Sequence, residues 1–153
     1  MTEKSKQIEI LLEQYKLYVQ LADNVSARRS QSNSFYISII TGLLAILSIA
    51  LDKFSSISQY FALLAVGILG ILLCIVWNIN ITSYKHLNSG KFKVIHDMEK
   101  MLPYACFDKE WELLGRGKEK SSYFSLTRVE RLIPFLLMVP FVILIVYSIS
   151  QIK

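Results

Sequence analysis

The chain has 153 residues, 53% of them hydrophobic, with 17 basic and 12 acidic side chains and a net charge of +5. So apolar a composition, with a mean hydropathy of +0.41, excludes an ordinary soluble domain, whose surface needs polar cover. The positive charge invites a nucleic-acid reading, but Asp97, Glu99, Asp108, Glu110, Glu112 and Glu119 are interleaved with the bases. The bias is better explained by membrane topology, and no nucleic-acid partner is expected.

In chain order, residues 5–30 predict a helix. Ile8, Leu11, Tyr15, Tyr18, Ala22 and Val25 recur at steps of three and four, forming an apolar seam with Glu9, Glu13, Lys16 and Asp23 off it. No Gly or Pro interrupts this stretch, so the helix is free to run straight into the first apolar run. The seam suits a helix lying on the bilayer or packing on its own chain, or contact with a neighbouring subunit; packing on the chain or a subunit is favoured over a free coiled coil, because Tyr at two core positions is unusual for a dimeric zipper.

Three apolar runs follow, at about 35–51, 60–81 and 132–149, and none contains Asp, Glu, Lys, Arg or His. Each approaches the roughly 20 residues a helix needs to cross a bilayer. The first carries a stripe of small residues, Ser34, Ser38, Gly42 and Ala45, with Thr41 and Ser48 nearby. Such a stripe lets another helix approach closely. Residues 52–58 are a short connection, so the first two runs predict an antiparallel hairpin. The second run offers a looser small face at Ala62, Ala65, Gly67 and Gly70, and ends in a polar and aromatic crowd: Trp77, Asn78, Asn80, Thr82, Ser83 and Tyr84. Trp and Tyr belong to the interfacial belt. Asn78 and Asn80 need partners if they enter lipid; interfacial solvation is favoured slightly over interhelical hydrogen bonding.

Residues 84–131 form the longest hydrophilic segment. Phe92, Ile95, Glu99 and Leu102 stand at helical spacing, and Pro103 stops that helix. Asp108–Leu114 predicts a second short helix, ended by Gly115 and Gly117. Thr127–Glu130 has capping-box form at the mouth of the third run. If that helix starts near Leu132 instead, Pro134 fits its first turn. Pro140 lies inside the run on either reading and is expected to kink it. The fold class is therefore all-α and polytopic. It comprises an amphipathic helix (1–33), a transmembrane hairpin (34–83), a helical segment (84–131), a third span (132–149) and a tail (150–153).

Basic residues face the cytoplasm. Fifteen of the 17 precede the first run or lie between the second and third; Lys53 and Lys153 are the exceptions. This predicts a cytoplasmic N-terminus and 84–131 segment, and an external C-terminus, in an inner membrane. The first run lacks a small-residue cleavage pattern, so it is expected to remain as an anchor, and no lipidation motif is seen. Cys74 and Cys106 fall in different compartments of this topology, which disfavours a disulfide between them.

Chemical motifs are sparse. There is no Gly-rich phosphate loop, no nucleophile elbow and no metal-ligand spacing around His86 or His96. Glu110, beside Trp111, and Glu130, at a span mouth, are the carboxylates most worth watching. An ion pair for Glu110 and a first-turn position for Glu130 explain them more simply than catalysis. The apolar runs hold no ionisable group of the kind ion-coupled carriers place in the bilayer. No catalytic, cofactor or metal site is expected.

The stretch Trp77…Tyr84-Lys-His-Leu-Asn88-Ser-Gly-Lys-Phe92-Lys-Val-Ile95-His-Asp-Met-Glu99-Lys-Met-Leu102-Pro103 is followed by Glu110-Trp111, Tyr123, Thr127, Glu130 and Pro134. It resembles the RipA family of small octameric bacterial inner-membrane proteins, over about residues 10–148. The resemblance implies a homo-octamer and supplies no active-site residues. The reading is a homo-oligomeric scaffold or ring whose partners are its own copies and membrane lipids. A membrane-disrupting stress or phage-defence effector, and a lipid-headgroup enzyme acting through Glu110 or Glu130, are the alternatives. Residues 5–30 and 84–125 are expected to pack into one helical layer that crosses between subunits. A buried Trp111 in that layer would cost about 3–5 kcal/mol to truncate.

Overall fold

The computed structural model describes residues 3–51, 56–117 and 126–152. Every regular element among them is helical: α1 (Glu3–Leu51), α2 (Ser56–Glu99), α3 (Cys106–Leu113), a short 3₁₀ turn (Gly115–Gly117) and α4 (Leu126–Ile152). α1 and α2 are long because nothing stops them. Neither contains Pro, and the isolated glycines each cost only about 1 kcal/mol against Ala.

The chain forms two compact units. One is drawn from residues 1–29 and 83–125, the other from 30–82 and 126–153. α1 and α2 therefore contribute to both.

In the second unit, α1, α2 and α4 share a core of Tyr36, Ile40, Cys74, Trp77, Ile81 and Phe141. Tyr36 and Trp77 stack with ring centroids 5.7 Å apart and planes 11° apart. The small face of α2 admits α4. A Cβ on Gly70 would lie 2.4 Å from the Phe141 ring, and one on Gly67 2.6 Å from Ile145. Apolar side chains also cover the outside of this unit, among them Ile46, Ile68, Ile143 and Val146. An unpaired apolar exterior around a packed helical core suits lipid as the surrounding solvent.

α4 has already begun at Leu126. Thr127 therefore stands inside the helix and not at its cap, which corrects the capping-box expectation. Pro134 is likewise inside the helix and buried, not in a first turn at Leu132. The helix is continuous through both Pro134 and Pro140.

In the first unit, α2 ends at Glu99, four residues before Pro103. Two short backbone bonds close it, Met101 N–H to the Met98 carbonyl (3.0 Å) and Leu102 N–H to the Glu99 carbonyl (3.1 Å). Pro disfavours helical geometry in the residue before it, so the chain leaves the helix here and re-enters one at Cys106. α3 closes with Gly115 at φ 69°, the left-handed conformation Gly adopts without Cβ strain. Arg116 follows at φ 51° and pairs with Asp108 at 3.5 Å.

Candidate functional site

The most distinctive group in the first unit is Glu99, which is 2% exposed. It ends α2 and points at the start of α3, whose first N–H groups have no partner within that helix. Ala105, at the cap position, makes no side-chain capping bond. Glu99 does this from the previous helix. Oε1 accepts the Phe107 N–H at 2.8 Å and the Tyr15 hydroxyl at 3.0 Å, and Oε2 accepts the Asp108 N–H at 3.1 Å. His96 Nδ1 stands 3.4 Å from Oε2. One carboxylate thus joins α1, α2 and α3.

Glu99 lies 18 residues beyond Ile81, where the second apolar run ends in the sequence. Burial pushes its pKa up, but the donors from Phe107, Tyr15, Asp108 and His96 outweigh that effect and hold it below the ordinary carboxylate value. Tyr15 shifts in the opposite sense: burial first, then its bond to the Glu99 carboxylate, push its hydroxyl well above the usual tyrosine range.

Aromatic rings surround this junction. Phe107 meets Phe92 edge to face at 5.5 Å and Tyr15 at 6.4 Å, and Phe92 lies 6.4 Å from His96. Lys91 Nζ sits 5.4 Å over the Tyr18 ring. Beside the junction opens a cleft of about 550 Å³, lined by Asn88, Phe92, Lys93, His96, Phe107 and Trp111 among others. Glu110 stands exposed on its edge. The Asn88 side-chain oxygen is buried and has no hydrogen-bond partner. Trp111 is 37% exposed, so the cost expected for truncating a buried Trp111 does not apply within one chain.

The structure therefore brings Tyr15, Phe92 and Glu99 into one junction and places Asn88, Glu110 and Trp111 around the adjoining cleft. Tyr84 is half-buried on α2, and Pro103 is exposed in the α2–α3 connection. Phe107 and the backbone of Asp108 complete the junction. Sequence spacing missed them, and the only available signal was a short helix lacking its own Ser, Thr, Asp or Asn cap.

The second unit holds the other predicted residues. Trp77 Nε1 donates to Asn33 Oδ1 at 2.9 Å, and Asn80 Nδ2 lies 3.3 Å from both Ser32 Oγ and the Tyr36 hydroxyl. For Asn80 the interhelical reading replaces interfacial solvation. The Asn78 side-chain oxygen is buried without a partner. Ser38 is exposed and bonds back to the Ser34 carbonyl at 2.9 Å, and a Cβ at Gly42 would touch nothing within 4 Å. Among the described residues the small stripe of α1 is therefore open at Ser38 and Gly42. Glu130 is half-buried near the start of α4, and Pro134 lies one turn further on. Among the described residues no three His, Cys, Asp or Glu side chains gather as metal ligands would.

Among the described residues three helices are long and apolar enough to cross a membrane, which fits a multi-pass α-helical membrane protein. The chain belongs to the octameric membrane protein family (8xMP), whose model it matches over residues 12–150. Comparisons with curated proteins and with solved structures gave no match.

Proposed function

We propose that this protein is a non-enzymatic, homo-oligomeric scaffold or ring of the bacterial inner membrane, with its N-terminus and residues 84–131 in the cytoplasm. The observation that carries this reading is how Glu99 is used. A buried carboxylate is the usual candidate for acid–base chemistry, yet here its two oxygens take three hydrogen bonds within the chain. Its role is to fix helices. The open small face of α1 around Gly42 gives neighbouring subunits a close-packing surface in the membrane, which fits the family's octameric description. Partition of the bases supports the orientation. Lipids are the other partner, and nucleic acid is not one.

The test is induced expression in a bacterial host, with growth and membrane potential followed together. A scaffold leaves both unchanged. Growth arrest with depolarisation would reject the scaffold in favour of a membrane-disrupting effector. In a parallel arm, Glu110→Gln and Glu130→Gln are compared for any phenotype of the deleted gene. Loss of complementation with assembly intact would reject the non-enzymatic reading.

A further inference from the structure

The first unit leaves two apolar surfaces open on its own fold. From Tyr15 onward the α1 seam is used inside the chain, with Tyr15 on Glu99, Tyr18 under Lys91, and Ala22 and Val25 buried, while Ile8 at its start is 42% exposed. A second row runs along the same helix. Ile10, Leu17 and Leu21 are 52%, 55% and 37% exposed, and their steps of seven and four align them on one face. Gln14 falls between them. The other surface is the cleft lined by Phe92, Phe107, Trp111 and Leu114. Next to it on α3, Leu113 is 78% exposed. Outside the membrane, a solvated helical unit rarely leaves two such apolar surfaces uncovered.

We infer that the two surfaces meet between copies: the Ile10–Leu21 row of one subunit lies in the Phe92–Trp111 cleft of the next. The inference rests on the homo-oligomeric reading above and names the contact through which the cytoplasmic layer closes. A ring of identical subunits about one axis uses a head-to-tail contact, in which two different patches of the same chain are complementary. This unit has two such patches, one a ridge and the other a cleft. Their chemistry matches. Isoleucine and leucine side chains suit an aromatic-walled cleft. Beside the row stand Glu13 and Lys16, 2.7 Å apart, and the cleft is bordered by Lys93, His96 and Glu110, so each margin carries both signs of charge and Glu13 can meet Lys93 while Lys16 meets Glu110. An aromatic-lined pocket receiving an aliphatic ridge is also the usual composition of an interface centre.

The contact is tested by cross-linking in the full-length protein. The exposed native thiol is removed by Cys106→Ser; Cys74 is buried. Leu17→Cys and Leu114→Cys are then placed on separately tagged chains, co-expressed, and treated in membranes with a short bismaleimide. The expected product is a dimer carrying both tags, absent when either variant is expressed alone. Native mass spectrometry of the wild type and of a Leu17→Asp/Leu21→Asp variant accompanies it, with a drop in copy number expected for the variant. A wild-type octamer that gives no mixed-tag product, or that cross-links only between two Leu17→Cys chains, overturns this contact and leaves the oligomer reading standing. A wild-type protein that is monomeric overturns both. A lipid or small molecule retained on the octamer and released by Trp111→Ala, with no mixed-tag product, assigns the cleft to that ligand and overturns the contact.

Discussion

At the residue scale, Glu99 decides whether the first unit holds together. Glu99→Ala leaves two backbone N–H groups of α3 and the Tyr15 hydroxyl without their acceptor. Stranded donors cost about 1–3 kcal/mol each, less where water reaches them, so a loss of about 3 kcal/mol is expected. Glu99→Gln keeps one acceptor oxygen and is expected to lose about half as much. Tyr15→Phe removes one donor while keeping the ring against Phe107, and about 1 kcal/mol is expected to go. The pH dependence follows from the sign of the shift. The folded-state pKa of Glu99 lies below its ordinary value of 4.5, so its contribution is fully present above pH 4.5 and is lost as pH falls through the lower folded value. Thermal unfolding of the purified protein followed by circular dichroism checks both points. The Glu99 contribution, measured as the gap between wild type and Glu99→Gln, should be constant from pH 7 to 5 and should narrow as pH falls below 4.5. A gap that widens in acid would contradict the capping role.

At the scale of elements, the two glycine faces of the hairpin have different uses. Gly70 is where α4 enters: an added Cβ would meet the Phe141 ring, which is fully buried and has nowhere to turn. Gly70→Ala is expected to destabilise the membrane unit by about 1–3 kcal/mol through overpacking. Gly42 faces open space within the chain. Gly42→Leu should leave each subunit's fold intact and lower the copy number, because it fills the surface that the proposed assembly gives to a neighbour. Thermal stability and native mass spectrometry in the same detergent separate the two outcomes. If Gly42→Leu keeps full copy number, the α1 stripe faces lipid. The helices themselves were legible in the sequence, because long apolar runs free of charge can do little else in a bilayer. The glycine faces were legible as small surfaces but not by partner, since composition cannot say that Phe141 fills Gly70 and nothing fills Gly42. The Glu99 junction was less legible still. Its spacing marked it as a helical position facing inward, but its partners come from backbone groups of α3 and a hydroxyl 84 residues away. Backbone donors carry no sequence signature. For Asn80 the sequence left two readings open, and Ser32 and Tyr36 decided between them through packing that only three dimensions supply.

At the scale of the whole molecule, the open question with most consequence is which face of the membrane each unit meets. Fifteen of 17 bases fall in the segments before the first span and between the second and third, and that asymmetry is the quantity topology obeys. The chain carries its own reporter. Cys106 is exposed in the first unit, whereas Cys74 is buried, so a thiol reagent of limited reach reports on Cys106 alone. A membrane-impermeant maleimide applied to intact spheroplasts should leave the wild type unlabelled and should label it after the membrane is opened. Gln151→Cys in a Cys106→Ser background should behave in the opposite way, because the proposed orientation puts the end of α4 at the outer face. Three spans put the two ends on opposite sides, so these results are tied together. Labelling of Cys106 in intact spheroplasts would invert the orientation, and labelling of both thiols from one side would remove one of the three spans.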